Sequence, residues 1–269
     1  MKVDRLFRCD AMHHFDIAKE GYVNLLVAQR RQSKDPGYSK SMIASRRDFF
    51  DAGHYERLGA GLADIAAGCL DTANVTGSRP IVVDAGCGEG YYLRKIRQHY
   101  ELRGSGAPVL CGIDISKPGV QTAARRDRLG HYAVASTHAL PLLPGVADLV
   151  LTHFSPVFAE SFLRVLQPNG VVLVGGPGPQ HLLSLKALVY ETPQEHTPSD
   201  PLHDDVRFQR IGTYEIQYGV ELRNTTDISN LLAMTPFYWS ANQDTQDRLS
   251  KLDKLDIPVD VVVHAYRRS

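Results

Sequence analysis

The sequence predicts an α/β fold with a mostly parallel, doubly wound sheet. Apolar, strand-like runs alternate with helical patterns between residues 81 and 177, which is the rhythm of β-α-β units with helices on both faces of a sheet. A glycine-rich loop follows the first run, and an acidic residue lies at the end of the second. Ligands of such sheets bind beyond the carboxyl ends of the strands, so we expect both features at one site.

The first run, residues 81–83, leads into Asp84-Ala-Gly-Cys-Gly-Glu-Gly90 and then into a helical pattern over residues 91–101. Glycines allow a tight turn here, and we expect the backbone N–H groups to turn outward towards a ligand in front of a helix N-terminus. The loop alone is equally compatible with a plain strand-to-helix turn.

The second run, residues 109–116, contains Asp114, which lies 24 residues after Gly90 (114 − 90 = 24). A carboxylate at the end of the second strand of a β-α-β unit accepts hydrogen bonds from a ribose diol. The alternative is that Asp114 or Ser116 caps the next helix, which is expected near residues 119–129.

The remaining elements follow from hydrophobic periodicity and turn residues. Strands are predicted at 132–136, 147–152 and 171–177, with a helix at 158–166. Before the glycine loop, residues 41–70 form two helices that are separated near Gly53. Beyond residue 179 we expect a helix at 182–189, an exposed proline-bearing segment at 193–201, strands at 206–220 and 259–266, and a helix at 227–234.

Composition restricts the class of protein. A chain of 269 residues suits one large domain or one domain with a small appendage. Thirty basic residues balance thirty acidic ones, so no global positive field indicates a polyanionic partner, although the local basic run at 29–34 could contact phosphates. No apolar run has membrane-spanning length and no signal peptide is evident. We therefore expect a soluble, cytoplasmic protein with reduced cysteines.

Near the N-terminus, Cys9 precedes His13 by four residues. This pair could be half of a zinc site, but structural zinc takes four ligands and no Cys-x-x-Cys precedes the pair. The sequence therefore predicts no bound metal.

Several of these strings together resemble a known family. Residues 84–92, 113–116 and 166–170 resemble class I S-adenosylmethionine-dependent methyltransferases, which have a Rossmann-like fold. Residues 15–26, 35–37, 46–55, 177–190 and 234–237 narrow the resemblance to the 23S ribosomal RNA guanine-N1 methyltransferases of the RlmA (RrmA) type. The resemblance extends from about residue 9 to about residue 240.

The resemblance also implies a domain organisation. Members of that family open with a zinc finger. Cys9 and His13 match its second ligand pair, whereas the first pair is absent from this sequence. Residues 1–35 are therefore expected to be a truncated zinc-finger-like segment. Residues 36–269 form the methyltransferase domain, with acceptor-binding insertions at about 36–75 and 180–240. The family resemblance further suggests a homodimer.

The resemblance implies that the cofactor is S-adenosyl-L-methionine, and it gives roles to the residues around the loop. Gly86, Cys87 and Gly88 would approach its methionine end, Asp84 would hold the amino group and Asp114 the ribose hydroxyls. Ile115 would pack on the adenine, beside Ser136 and Thr137. Tyr92 and His153 complete the predicted cofactor-binding residues.

The acceptor site is expected after the fourth strand and in the second insertion. Phe154, Pro156, Phe237 and Trp239 are the predicted substrate-binding residues, although aromatic clusters of this kind are often only core. A guanine N1 carries a proton at neutral pH, and His153 and His181 are candidate bases. Five basic residues could follow a phosphate backbone: Arg30, Arg31, Lys34, Arg46 and Arg47.

Three functions remain open from the sequence. The first is methylation of a guanine N1 in 23S rRNA. The alternative is a methyltransferase derived from that family that acts on a small heterocycle after losing the RNA-binding finger. The third is a non-catalytic protein that binds the cofactor or RNA.

Overall fold

The computed structural model describes residues 2–3, 6–9, 12–26, 38–72, 79–249 and 251–269. The predicted basic run at 29–34, the Asp35–Gly37 string and the expected phosphate contacts Arg30, Arg31 and Lys34 lie outside these residues.

Eight strands form the main sheet. They are β4 (Tyr22–Asn24), β5 (Ile81–Ala85), β6 (Val109–Asp114), β7 (His131–Val134), β8 (Ala147–His153), β9 (Leu166–Pro177), β10 (Phe208–Leu222) and β11 (Leu255–Arg268). The spatial order is β10-β11-β9-β8-β5-β6-β7-β4. All pairs from β9 to β4 are parallel, whereas β11 pairs antiparallel with both β9 and β10. The predicted mostly parallel sheet is confirmed.

The centre of the sheet is where the strand order reverses. Strand β5 pairs with β6 on one side and with β8 on the other. This switch point opens a crevice at the carboxyl ends of the strands. The glycine loop after β5 and Asp114 at the end of β6 are therefore neighbours at one edge of the sheet.

Eight helices accompany the strands within the described part of the chain. They are α1 (Lys40–Asp51), α2 (Glu56–Thr72), α3 (Tyr91–Leu102), α4 (Lys117–Arg126), α5 (Ala159–Val165), α6 (Leu183–Val189), α7 (Thr225–Ala233) and α8 (Gln243–Leu249). Polar side chains begin several of them: Ser39 caps α1, Ser116 caps α4 and Asn224 caps α7 by accepting from backbone N–H groups.

The strands are buried on both faces. Along β8, Leu149 belongs to one hydrophobic cluster and Val150 to another, and Val171 and Val172 of β9 divide in the same way. This alternation is the two-residue period of a strand. One cluster includes side chains of α1 to α4, α6 and α7, and the other includes Phe162 of α5. Helical side chains therefore cover the sheet on both sides, as predicted.

Several elements differ from the sequence prediction. Strand β9 begins at Leu166, which pairs with Ala147, and so starts before the strand that was predicted at 171–177. Strand β7 ends at Val134 because Ser136 caps a short 3-10 turn by accepting from the His138 backbone N–H. Helix α8 was not predicted.

The N-terminal region contributes to two sheets. Strands β1 (Lys2–Val3), β2 (Leu6–Arg8) and β3 (His14–Asp16) form a small antiparallel sheet. Strand β4 instead pairs in parallel with β7 at the edge of the main sheet. Residues 22–24 of the expected N-terminal segment, 1–35, thus belong to the main sheet.

The two expected insertions contact each other. His54, between α1 and α2, lies 2.9 Å from the Asp227 carboxylate of α7, and the hydroxyl of Tyr218 in β10 donates to the His54 carbonyl at 3.2 Å. Across the ranges that the structure describes, no helix is both long and apolar enough to cross a membrane.

Candidate active site

The loop after β5 contains three glycines with positive φ angles: 102° at Gly86, 52° at Gly88 and 78° at Gly90. Its N–H groups do not turn outward as predicted. Those of Gly86 and Cys87 donate to the Ile113 carbonyl, that of Gly90 donates to the Cys87 carbonyl, and that of Gly88 donates to the Asp114 carboxylate at 2.8 Å. Buried N–H groups need partners, and this loop finds them within the protein. The loop instead leaves open space beside Gly88. A Cβ atom placed on this residue would have only Arg46 Nε within 4 Å, at 3.8 Å, so a ligand can approach the backbone closely.

The Asp84 carboxyl group lies at the base of this loop and is 1% exposed. Its Oδ2 atom has no hydrogen-bond partner among the described residues. Burial, followed by the nearby negative charge of Asp114, raises the pKa of Asp84 to about 8. A cationic hydrogen-bond donor would therefore interact favourably at this position.

Asp114, at the end of β6, is also buried. Its carboxylate accepts from the backbone N–H of Gly88 at 2.8 Å and from that of Ser116 at 2.7 Å. Burial raises the pKa of Asp114, and these hydrogen bonds oppose the increase. Ser116, not Asp114, caps α4. Each carboxylate oxygen can accept more than one hydrogen bond, so Asp114 retains capacity for a diol.

Arg46 of α1 faces the same carboxylates. Its guanidinium stacks 4.8 Å from the centre of the Phe50 ring, and its positive charge lowers the pKa of both Asp84 and Asp114. Arg47 is exposed and pairs with its neighbour Asp48 at 2.6 Å. Only Arg46 of these two thus approaches the loop.

The other predicted cofactor residues surround the loop in different ways. Tyr92 is buried and its hydroxyl has no partner within the described part. The Cys87 side chain belongs to the hydrophobic core beside Gly112, so only its backbone borders the site. Ile115 is 39% exposed, and Ser136 and Thr137 form the start of the 3-10 turn that follows β7.

A cavity of about 510 Å³ adjoins the loop. Phe154, Pro156, Phe237 and His181 of the predicted acceptor residues line it. Trp239 does not, and its side chain is 73% exposed. Further lining residues connect the cavity to the glycine loop and to the second insertion: Tyr38, Arg46, Tyr55, Tyr92, Ser155, His196 and Met234.

His153 is 3% exposed and is not among the lining residues. Its ring lies 4.5 Å from that of Tyr92 and 4.4 Å from that of Phe154, measured between ring centres. Burial lowers the pKa of His153 to about 3, with Arg46 as the next cause. His153 is therefore neutral near pH 7 and packed among aromatic rings.

Among the described residues, two of the four non-glycine residues with positive φ angles lie at the cavity wall. They are Phe154 and Leu182, and both have a φ angle of 53°. A large side chain rarely adopts this left-handed conformation, which typically costs about 1–3 kcal/mol and is found mostly at functional sites. In Phe154 a hydrogen bond from its N–H to the Gly175 carbonyl, 2.9 Å long, holds the conformation.

Comparison with known proteins decides the family. Residues 82–170 match the family model "Methyltransferase domain", and residues 1–34 match the model "RlmA, N-terminal". The 23S rRNA (guanine(748)-N(1))-methyltransferase of Streptomyces fradiae is 33% identical over 244 residues, which cover 90% of this chain and 82% of that protein. The chain belongs to the RlmA-type family of 23S rRNA (guanine-N1)-methyltransferases.

Two further relatives carry related names. A candidate 23S rRNA (guanine-N(1)-)-methyltransferase of Micromonospora griseorubida is 36% identical and covers 67% of this chain and 62% of that protein. A third, YxjB of Bacillus subtilis (strain 168), is 28% identical and covers 93% of this chain and 86% of that protein. The resemblance seen in the sequence is confirmed, and the Rossmann-like fold is that of a class I methyltransferase.

The site of this methyltransferase fits S-adenosyl-L-methionine, its cofactor. The unpartnered Oδ2 atom of Asp84 suits an ammonium group, because a carboxylate with a raised pKa gains most from a positive neighbour. The space in front of Gly88 suits close approach of the methionine portion. The remaining lone pairs of Asp114 suit ribose hydroxyls.

The N-terminal segment of the methyltransferase places Cys9 and His13 together. Cys9 Sγ lies 3.3 Å from His13 Nδ1. No group of three or more histidine, cysteine, aspartate or glutamate side chains that could hold a metal ion occurs in the part of the chain that the structure describes.

Two features of the site were not recognised from the sequence. Ser155 lies so close to Gly86 that a Cβ there would be 2.1 Å from the serine Oγ. His196 lines the 510 Å³ cavity from the proline-bearing segment. That segment has no hydrophobic period, so the sequence contains no signal for where its side chains lie.

Proposed function

We propose that this methyltransferase transfers a methyl group from S-adenosyl-L-methionine to N1 of a guanine in 23S rRNA. The observation that carries the proposal is the extent of the match to the Streptomyces fradiae enzyme. A match over 90% of the chain must include most of the residues after 170, where more than half of the residues that line the acceptor cavity lie. The similarity is therefore not limited to the cofactor-binding half that all class I enzymes share.

In this proposal the residues around the glycine loop bind the cofactor. Asp84 accepts from the amino group and Asp114 from the ribose hydroxyls, while Ile115 packs against the adenine near Ser136 and Thr137. The backbone of Gly86, Cys87 and Gly88 adjoins the methionine portion, with Tyr92 and His153 behind it. When bound, the cofactor supplies an electrophilic methyl group. The protein mainly positions the nucleophile and excludes water.

The acceptor cavity then holds the base. Phe154 and Phe237 offer flat faces on which a flipped base can stack, and Pro156 adds apolar surface. Removing a base from its helix costs a few kcal/mol, which stacking partly offsets. Trp239 lies outside the cavity, and we propose that it contacts RNA beside the flipped nucleotide. The expected phosphate contacts, Arg47 among the described ones, would lie on the same outer surface.

The proton on N1 requires an acceptor, and the two histidines predicted for this role differ. His153 does not border the cavity, whereas His181 does. Burial, with the charge of His196 second, lowers the pKa of His181 to about 4, so both rings are neutral near pH 7. Of the two, His181 is the one that can contact the acceptor base.

We also propose that residues 1–35 and the insertions at 36–75 and 180–240 bind RNA, and that the protein acts as a cytoplasmic homodimer. The family resemblance supports these points. Light scattering on the purified protein tests the dimer: a mass near 30 kDa would contradict it, since one chain is 29.8 kDa.

The function is tested by offering labelled cofactor together with unmodified 23S rRNA and, separately, a panel of free purines and related heterocycles. We expect label in the RNA and none in the small molecules. Asp114→Asn, which keeps the volume and removes the charge, should reduce cofactor affinity at least tenfold by calorimetry. Label only in a free heterocycle would overturn the RNA substrate and favour a small-molecule methyltransferase.

A further inference from the structure

Arg46 is a positively charged side chain whose hydrogen-bond donors are not used by the protein. Within the residues that the structure describes, its guanidinium makes no hydrogen bond and no ion pair, whereas that of the next residue, Arg47, pairs with Asp48 at 2.6 Å. Arg46 instead contacts the face of Phe50, whose ring centre lies 4.8 Å from its Cζ atom. Such a contact holds the guanidinium and leaves its N–H donors free for a ligand.

Arg46 lies where the cavity meets the glycine loop. It lines the cavity, and its Nε atom would be 3.8 Å from a Cβ atom placed on Gly88. Its positive charge lowers the pKa of three buried carboxyl groups around the loop, those of Asp84, Asp114 and Glu89. It forms an ion pair with none of them, so the guanidinium and these carboxylates face the same loop without contact.

In the described part of the chain, Arg46 provides the positive charge of the cavity. The lining residues include one arginine and no lysine. Burial lowers the pKa of His181 and that of His196, which also line the cavity, so both rings are neutral near pH 7. The backbone N–H groups of Gly86 and Gly88 donate within the protein. An anionic group that enters beside the loop is therefore matched by Arg46.

The methionine portion of S-adenosyl-L-methionine contains such an anionic group. It carries an ammonium and a carboxylate on the same carbon atom, and the proposed function places the ammonium at Asp84. The carboxylate of the cofactor is then close to the negative charges of Asp84 and Asp114, which repel it. A neighbouring cation offsets this repulsion, and the planar guanidinium of arginine matches a carboxylate with two parallel hydrogen bonds.

We propose that Arg46 binds the carboxylate of the cofactor and thereby selects S-adenosyl-L-methionine over sulfonium donors that lack this group. Asp84 and Arg46 then form a pair of opposite charges that matches the zwitterionic end of the cofactor in one orientation. The inference takes only the position of the ammonium group from the proposed function and does not depend on the methyl acceptor. It replaces the role in RNA phosphate contact that the sequence predicted for Arg46.

Contacts at both ends of α1 keep Arg46 in position. At the start of the helix, the hydroxyl of Ser116 donates to the Tyr38 carbonyl at 3.1 Å. At its end, Asp51 pairs with Arg126 at 2.6 Å. Ser116 and Arg126 lie at the two ends of α4, so α1 is fixed along the helix that follows β6. A cation that is held in advance loses less freedom when a ligand binds.

Calorimetry with two ligands tests the assignment without RNA. S-adenosyl-L-methionine and its decarboxylated form differ at the carboxylate alone, and each is titrated into the wild type and into Arg46→Gln. The loss of a charge-assisted hydrogen-bonded pair lowers affinity by about 10- to 100-fold. We therefore expect the preference of the wild type for S-adenosyl-L-methionine over the decarboxylated form to fall by that factor in Arg46→Gln.

The matched control is Arg103→Gln, which removes the same charge from an exposed position at the end of α3 and should keep the full preference. Arg46→Met retains the apolar stem over Phe50 without the charge. If Arg46→Gln does not fold, this second variant decides the question on the same criteria, with its folding checked by thermal melting.

The outcomes separate this assignment from the alternatives. An equal loss of affinity for both ligands overturns it, because Arg46 would then support the fold or another part of the cofactor. Unchanged affinity for both ligands, with weaker binding of 23S rRNA, also overturns it and returns Arg46 to phosphate contact. A wild type that shows the expected preference but labels no RNA removes the proposed function and leaves the role of Arg46 standing.

Discussion

Asp84 lies in a position where burial and function oppose each other. Its carboxyl group is almost fully enclosed, and the neighbouring charge of Asp114 adds to the effect of burial on its pKa. In the proposed function this carboxylate receives the amino group of the cofactor. A group that is unfavourable for folding and favourable for binding is typical of active sites.

The pKa of Asp84 gives a prediction with a defined pH window. The folded value is about 8 and the ordinary value is 3.8. Between these values the unfolded chain releases a proton that the folded chain keeps, so the free energy of unfolding falls as pH rises from about 4 to about 8. The asparagine in Asp84→Asn does not titrate, so this residue no longer makes the free energy of unfolding depend on pH. We expect the substitution to stabilise the protein by up to about 4 kcal/mol near pH 7, because the shift spans about 3 pH units below pH 7 at about 1.4 kcal/mol each, and by nothing below pH 4.

Chemical unfolding at pH 4 and pH 7 measures this effect, and calorimetry with S-adenosyl-L-methionine measures the opposing loss of affinity. The fully exposed Asp204 provides the matched control, since Asp204→Asn should change neither quantity. A variant at position 84 that is less stable at pH 7 yet binds the cofactor normally would show that the carboxylate serves the fold alone.

At the residue scale, chemistry tied to regular elements could be predicted and chemistry in irregular segments could not. Asp84 and Asp114 follow apolar strands at a characteristic spacing, and the structure brings them together. The direction of the loop N–H groups was predicted wrongly, because hydrogen bonds to Ile113 and Asp114 depend on strand pairing that no local pattern shows. His196 lies among prolines and polar residues, where the position of a side chain is set by tertiary contacts.

At the scale of elements, the loop between β5 and α3 depends on contacts with its neighbours as much as on its own glycines. Glu89 of this loop is 0% exposed. Arg94 of α3 contacts it at 3.1 Å, and Arg126 of α4 contacts it at 3.5 Å while also pairing with Asp51 of α1. Breaking one member of a buried network leaves an uncompensated charge. The network therefore fixes three helices around the cofactor loop.

The contact between Gly86 and Ser155 supports a prediction on this loop. In Gly86→Ala the new Cβ would meet Ser155 Oγ at 2.1 Å, in addition to the strain of a φ angle of 102°. Gly21→Ala, at a φ of 98° with open space around it, measures the conformational strain alone. We expect about 1–2 kcal/mol of destabilisation at position 21 and about 2–4 kcal/mol at position 86.

Chemical denaturation of both variants, with the double variant Gly86→Ala/Ser155→Gly, measures the two effects separately. Removing the Ser155 side chain should restore the stability lost to its clash with the new Cβ. The destabilisation that remains should be the conformational strain of the φ angle alone. If the double variant is no more stable than Gly86→Ala, the serine does not limit the space at this loop.

The secondary-structure elements that could be predicted from the sequence are those with a long hydrophobic pattern. Strands β5, β6 and β8 are continuous apolar runs between turn residues, and helices α1 and α2 have clear periodicity. Strand β4 has only three residues, and its place in the main sheet depends on pairing with β7, more than a hundred residues away in the chain. Helix α8 is short and polar, with only Thr245 and Leu249 buried, so its sequence lacks a distinct apolar face.

At the scale of the whole molecule, the proposed function assigns a cofactor site and a site for a planar acceptor to the same edge of the sheet. In this proposal β5, β6 and the loops that follow them bind the cofactor. The cavity proposed for the acceptor is lined by the loop after β8, by α1 and by the chain that follows β9. Family membership rests on the match across both halves and on the N-terminal model over residues 1–34.

The most direct test of the account is to identify the methylated nucleoside. Unmodified 23S rRNA is incubated with the protein and S-adenosyl-L-methionine, digested to nucleosides and analysed by mass spectrometry against standards. We expect 1-methylguanosine as the product, formed by the wild type and greatly reduced with Asp114→Asn. A different methylated nucleoside, or RNA that stays unmethylated while a free heterocycle is methylated, would contradict it.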